Sequence, residues 1–106
     1  MIYIFHGDDQ YKSQQAYQAK LNEYQSFEQL RFDNKNIDLD KLNQFINSQS
    51  LFGSEKVLIL DNPFSLLKTN FDKLQKIILN NKDVDIIIWQ DKTLKPPEIS
   101  IFKSAS

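Results

Sequence analysis

The order of apolar and polar positions along the chain predicts short strands. Ile2 to Phe5 is a β-branched and aromatic run, and Val57 to Leu60 and Val84 to Trp89 form two further apolar runs. Runs of this length and composition are typical of strands with both faces buried. Leu30 and Phe32 instead alternate with polar residues, which predicts a strand with one buried face at an edge of the sheet.

Three segments between these runs carry apolar residues at helical spacing, and Asp38 precedes the second as its N-cap. Strands that alternate with helices imply right-handed parallel crossovers. The sequence therefore predicts an α/β fold, a doubly wound parallel sheet with helices on both faces. The predicted helical stripes are Tyr17, Leu21 and Tyr24, then Leu39, Leu42, Phe45 and Ile46, and finally Leu67, Phe71, Leu74 and Ile78.

The last part of the chain has a weaker pattern. Lys95-Pro96-Pro97 is expected to break regular structure, and Ile99 to Ser106 has the pattern of a helix that has just begun. A length of 106 residues fits one domain with one core. We expect a single domain over residues 1–106, with a fifth strand missing from the sheet.

Composition narrows the classes of function. Thirteen Lys and Arg against fourteen Asp and Glu give a net charge of −1, so no positive field is available to hold a nucleic-acid backbone. The absence of cysteine excludes disulfides and thiolate sites and fits a cytoplasmic location. The N-terminus has no basic region typical of a signal peptide, and no apolar stretch approaches the roughly 20 residues of a membrane helix.

The turn after the first strand resembles a phosphate-binding loop that has lost essential parts. It keeps Gly7, Lys12 and Ser13, but it lacks the second glycine of such a loop and is one residue too short. Asp8 and Asp9 stand where phosphate would lie, and their charge would repel it. We therefore expect no nucleotide, no other cofactor and a degenerate site.

The third strand ends at Asp61-Asn62, where a working ATPase places an acidic pair that holds magnesium and polarises water. An asparagine cannot act as the base, so the simplest interpretation is that Asp61 ends the strand at its polar rim. His6, the only histidine, has no partner residues for a zinc site and is expected to be satisfied by backbone. We expect no catalytic residue and no metal ligand.

An alternative is the receiver domain of a response regulator, in which Asp8 and Asp9 would help to bind magnesium beside a phosphorylated Asp61. Against it, Gln90 occupies the position of a small hydroxyl residue, and Lys95-Pro96 follows too soon for a fifth strand. This alternative predicts that the first strand lies between the second and the third. A third possibility, an active NTPase, requires ATP to bind at the turn that begins with Gly7.

One loop does not fit a purely structural role. Leu51 and Phe52 are the only large apolar residues in the segment 48–54, between the second helix and the third strand. The pair either packs inward as a staple or is offered to a partner. Gly53 follows directly and permits a sharp turn that would direct the pair outward.

The order of these elements resembles the delta subunit of DNA polymerase III, a component of the bacterial clamp loader. The resemblance covers nearly all 106 residues, and the Leu-Phe-Gly before an apolar strand is its most specific part. Its matching segments are Ile2 to Asp9, Ser50 to Gly53 with Glu55 to Asn62, and Asp85 to Trp89.

The resemblance implies an AAA+-like domain with no activity of its own, within a holoenzyme that synthesises DNA. Leu51 and Phe52 would enter a hydrophobic pocket of the sliding clamp, beta, with Ser50 and Gly53 on either side. This docking would help to open the ring for loading onto primed DNA. Ser48 stands where clamp-binding peptides usually begin with glutamine.

The resemblance also implies which partners and domains lie elsewhere. Contacts with the gamma, tau and delta prime subunits would be made by lid and collar domains that this sequence does not contain, and DNA would be met only by the whole complex. The fourth strand should lie beside the first, with a fifth strand on the first strand's other side. Without that fifth strand, the exposed edge would favour self-association.

Overall fold

In the computed structural model, residues 2–7, 10–48, 55–81 and 83–103 are described. Their strands and helices alternate along the chain, as the apolar pattern predicts. The elements are β1 (Ile2–Phe5), α1 (Gln10–Glu23), β2 (Glu28–Asp33), α2 (Leu39–Asn47), β3 (Lys56–Asp61), a 3₁₀ turn (Pro63–Ser65), α3 (Lys68–Asn80), β4 (Asp85–Trp89) and α4 (Pro96–Lys103).

The four strands form one parallel sheet in the order β1-β4-β3-β2. β2 lies at one edge, as the alternation in its sequence predicts, and β3 and β4 are central. β4 pairs with β1, with Ile88 opposite Ile4, as the clamp-loader resemblance implies. The receiver alternative is wrong on this point, since it requires β1 between β2 and β3.

Helices cover both faces of the sheet, which confirms the predicted α/β class. On one face, Tyr17 and Tyr24 of α1 pack against Val57, Ile59 and Ile87. On the other, Leu42 of α2, Leu74 and Ile78 of α3 and Phe102 of α4 join one larger core. The strand residues of that core are Phe32, Leu58, Leu60, Ile86 and Ile88.

The predicted cap of α2 is confirmed. The backbone N–H of Lys41 donates to Asp38 Oδ1 at 3.1 Å, which satisfies one of the amides that have no partner within the first turn. Leu42 is fully buried, and Phe45 and Ile46 pack beside it as partly buried residues. The helix thus presents its predicted apolar side to the sheet.

The predicted stripe of α3 is right in three positions and wrong in the fourth. Phe71, Leu74 and Ile78 contact the core, but Leu67 precedes the helix and is 78% exposed. The cause is the 3₁₀ turn, which the helical spacing did not indicate. At that corner Phe64 and Leu66 pack on the core in place of Leu67.

The prolines after β4 begin a helix, so the expected break at this point is wrong. Proline suits the first turn of a helix, where its missing N–H would have no partner within the helix. Lys95 N–H donates to Glu98 Oε1 at 3.0 Å, and Glu98 N–H donates to Lys95 O at 2.9 Å. α4 therefore begins three residues before the predicted start at Ile99 and buries Phe102 completely.

Candidate functional site

The residues that the sequence singles out fall at opposite ends of the parallel strands, which we call the carboxyl edge and the amino edge of the sheet. Gly7 and Asp61 follow or end strands at the carboxyl edge, where α/β proteins usually bind ligands. Ser48 and Glu55 lie at the amino edge, on either side of residues 49–54. The length of the strands therefore separates Gly7 and Asp61 from the two residues that flank the segment 49–54.

The turn after β1 is only partly described. Gly7 has a φ of 137°, a conformation that L side chains rarely adopt, which accounts for glycine at this position. Lys12 is exposed, whereas Ser13 Oγ is buried and makes no hydrogen bond to any described residue. Asp8 and Asp9 lie outside the described residues.

Asp61 ends β3 at the polar rim and is held by two side chains. The Tyr17 hydroxyl donates to Asp61 Oδ1 at 2.7 Å, and Arg31 donates to Oδ2 through Nε and Nη2, both at 2.9 Å. Burial, reinforced by the hydrogen bond to Asp61, raises the pKa of Tyr17 above its usual value. Asp61 thus ties α1 and β2 to β3, and both its oxygens are engaged.

Asn62 has a structural role in the described part of the chain. It adopts the left-handed conformation, with φ 57°, and its N–H donates to Trp89 O at 2.6 Å. Its Oδ1 accepts from the N–H of Asp91 at 2.9 Å. The side chain at the position of a catalytic base therefore fixes the loop after β4.

Gln90, which directly follows β4, also has a structural role. Only 1% of it is exposed, its Oε1 accepts from Phe64 N–H and its Nε2 donates to Ser65 Oγ, both at 3.2 Å. The amide thus anchors the 3₁₀ turn. It does not supply the small hydroxyl that a receiver needs at this strand end.

His6 is satisfied by backbone, as predicted. Its Nδ1 accepts from the N–H of Leu94 at 3.0 Å, which ties the end of β1 to the loop before α4. Within the described ranges, no group of three or more His, Cys, Asp or Glu residues is arranged to hold a metal ion. In the same ranges, no helix has the length and apolar character needed to cross a membrane.

A pocket of about 430 Å³ opens at the carboxyl edge between α1 and the ends of β2 and β3. Its lining includes Tyr17, Arg31, Asp61 and Trp89. The rings of Tyr17 and Trp89 are stacked, with their centres 6.2 Å apart. The lining carries two cationic and two anionic side chains, so it has no net charge with which to attract phosphate. Sequence reasoning missed Tyr17 and Arg31 as partners of Asp61.

At the amino edge, the predicted clamp-binding residues Ser50, Leu51, Phe52 and Gly53 lie outside the described residues. The structure describes the residues that flank this segment, Ser48 before it and Glu55 after it. Ser48 follows the last residue of α2 and donates its N–H to Gln44 O at 2.9 Å. On the far side, Glu55 O accepts from Glu28 N–H at 2.8 Å, which fixes the start of β3 against β2.

Lys56, the first residue of β3, is a functional candidate that sequence reasoning missed. It is only 8% exposed, and its ammonium donates to Phe45 O at 2.6 Å, to Ser48 Oγ at 2.9 Å and to Ser48 O. The ammonium also lies 5.1 Å from the centre of the Phe45 ring. The sequence signal that could have identified it is a lysine directly before the apolar run Val57 to Leu60.

The family model described as DNA polymerase III, delta subunit, matches residues 3–105, which is all of the chain except its first two residues and its last. Among curated proteins, none matches this chain.

Proposed function

Because this chain belongs to the family of DNA polymerase III delta subunits, and so has a role in the clamp loader, we propose that it grips the sliding clamp. The grip is made by Leu51 and Phe52, with Ser50 and Gly53 on either side. Docking of this pair into a hydrophobic pocket of the clamp, beta, helps to open the ring for loading onto primed DNA.

The observation that carries the proposal is the position of the pair between two fixed elements. The segment 49–54 leaves the capped end of α2 at Ser48 and enters β3, a central strand, at Lys56. Interface anchors are most effective when rigid elements present them, because less conformational entropy is lost on binding. The sequence of the segment adds two large apolar residues among small polar ones.

The size of the contact suits a loader, which must bind and release. Full burial of a Leu or Phe side chain contributes roughly 1.5–3 kcal/mol, so the pair contributes roughly 3–6 kcal/mol. That is enough to anchor an interface and too little for a permanent one. Ring opening requires in addition that the chain bind the open form more tightly than the closed form.

The same proposal assigns no chemistry to this domain. We infer an AAA+-like domain whose nucleotide site has lost its function, with Gly7, Lys12 and Ser13 as its remnants. Three features support this inference: the engaged carboxylate of Asp61, the structural use of Asn62, and a pocket lining without net charge.

The other partners of the clamp loader would bind to parts of the subunit other than residues 1–106. We propose that residues 1–106 are the N-terminal domain of a longer cytoplasmic subunit, and that its lid and collar join the gamma, tau and delta prime subunits. DNA would be contacted only by the complete loader. This agrees with the net charge of −1, which offers no field for a phosphate backbone.

The test is a calorimetric titration of the purified clamp with a Leu51→Ala, Phe52→Ala double variant. At the lower figure of about 3 kcal/mol, the dissociation constant should rise about 150-fold. A Tyr11→Ala, Leu67→Ala double variant is the matched control, because these side chains are 72% and 78% exposed at other sites. The control should bind as wild type; unchanged affinity of the Leu51, Phe52 variant would contradict the proposal.

A further inference from the structure

Lys56 is unusual because it is a lysine at the start of a central strand. In β3 it shares a face with Leu58 and Leu60, which belong to the main core. Burial of an ammonium is costly unless its donors are satisfied. Packing against the core does not by itself require a charge, so the buried ammonium needs a separate explanation.

The explanation lies in where the donors are directed. The ammonium has three N–H groups, and the structure gives it three acceptors: Phe45 O, Ser48 O and Ser48 Oγ. All three belong to the carboxyl end of α2, where the helix leaves carbonyl groups without partners and where cations are favoured. None of these bonds goes to Glu28, which lies directly opposite Lys56 in β2.

These hydrogen bonds join the residues on either side of the segment that follows α2. Ser48 is the residue before the segment 49–54, and Lys56 comes two residues after it. The hydrogen bonds of Lys56 hold Ser48 and the start of β3 together, so the distance between the two described ends of the segment is set in the free protein. Interface residues carried by fixed elements lose less entropy on binding than residues carried by mobile ones.

We propose that Lys56 is a positioning residue for clamp binding: by joining the end of α2 to the start of β3, it fixes the base from which Leu51 and Phe52 are presented. This rests on the proposed function of those two residues. Lys56 itself does not touch the clamp in this account. It acts on affinity by holding Ser48 at the end of α2 against the start of β3.

The experiment is a calorimetric titration of the purified clamp with the full chain carrying Lys56→Met, which keeps an unbranched side chain one atom shorter and removes the donors. We expect binding about tenfold weaker, with the loss in the entropy of binding. Lys56→Arg keeps the charge and the donors and should bind within about threefold of wild type. Equal losses in the Met and Arg variants would overturn the proposal.

A general loss of stability must be separated from a loss of position. Tyr17→Phe is the matched control, because it removes one buried hydrogen bond, to Asp61, at the opposite edge of the sheet. All titrations are run well below each variant's melting temperature, and Tyr17→Phe should bind as wild type. Weakening of Tyr17→Phe equal to that of Lys56→Met would show that stability alone is responsible, which would overturn the proposal.

The variant Ser48→Ala tests the same hydrogen bonds with a smaller effect on stability. Ser48→Ala removes one acceptor of Lys56 and the 3.3 Å hydrogen bond from Ser48 Oγ to Phe45 O, and it leaves the other two acceptors of Lys56 in place. It should therefore fold even if Lys56→Met does not, and we expect binding about threefold weaker. Wild-type affinity of Ser48→Ala and of any folded Lys56→Met would overturn the role of Lys56. If the Leu51→Ala, Phe52→Ala variant also keeps its affinity, the proposed function itself is wrong.

Discussion

The clearest test of the fold is the substitution Phe102→Ala in α4. Phe102 is completely buried, and its ring lies 5.5 Å from that of Phe64 and 5.9 Å from that of Phe71, both in edge-to-face arrangements. Removal of a buried phenylalanine side chain costs about 3–5 kcal/mol, including the cavity that remains. A small domain is stable by only about 5–15 kcal/mol, so a large share of the folding free energy depends on this ring.

The assay is urea unfolding followed by far-ultraviolet circular dichroism and by the fluorescence of Trp89, the only tryptophan. The midpoint should fall while the slope stays constant, and the melting temperature should drop by roughly 12–40 °C. Leu67→Ala is the control, because that side chain is 78% exposed and its loss should change stability by less than about 0.5 kcal/mol. A loss of less than about 1 kcal/mol in Phe102→Ala would refute the packing of α4 on the core.

Three further predictions concern the remaining features. Burial and hydrogen bonds to Asp61 and Asp85 raise the pKa values of Tyr17 and Tyr24 above their unfolded value of about 10. Stability should therefore be lost as the pH rises above about 10, and a Tyr17→Phe, Tyr24→Phe variant should flatten this loss in urea unfolding. A fluorescent ATP analogue should show no saturable binding; saturation would revive the active NTPase. Because β1 lies at an edge of the described sheet, sedimentation should show self-association at high concentration, and a monomer throughout would count against it.

Local and periodic features of the chain were the ones that sequence reasoning predicted well. The alternation of Leu30 and Phe32 predicted an edge strand, and the apolar run Val57 to Leu60 predicted a central one. The cap at Asp38 depends on residues three apart, and such short-range chemistry is readable from sequence. The sequence predicted that His6 would bond to the backbone, but only the structure identifies Leu94 as the partner.

Features that depend on long-range contacts were missed. The partners of Asp61 are Tyr17, 44 residues away, and Arg31, 30 residues away, so no local pattern reveals them. The role of Lys56 depends on where α2 ends relative to β3. Leu67 was misassigned because the 3₁₀ turn interrupts the helical spacing, and the start of α4 was missed because proline was taken only as a breaker of structure.

The measurement that bears most directly on the central claim is the heat released when the wild-type chain is titrated into the clamp of the same organism. We predict saturable binding that weakens by about 150-fold or more when Leu51 and Phe52 are both replaced by alanine. Saturable binding of equal strength by that variant, or no binding by the wild-type chain, would contradict the account.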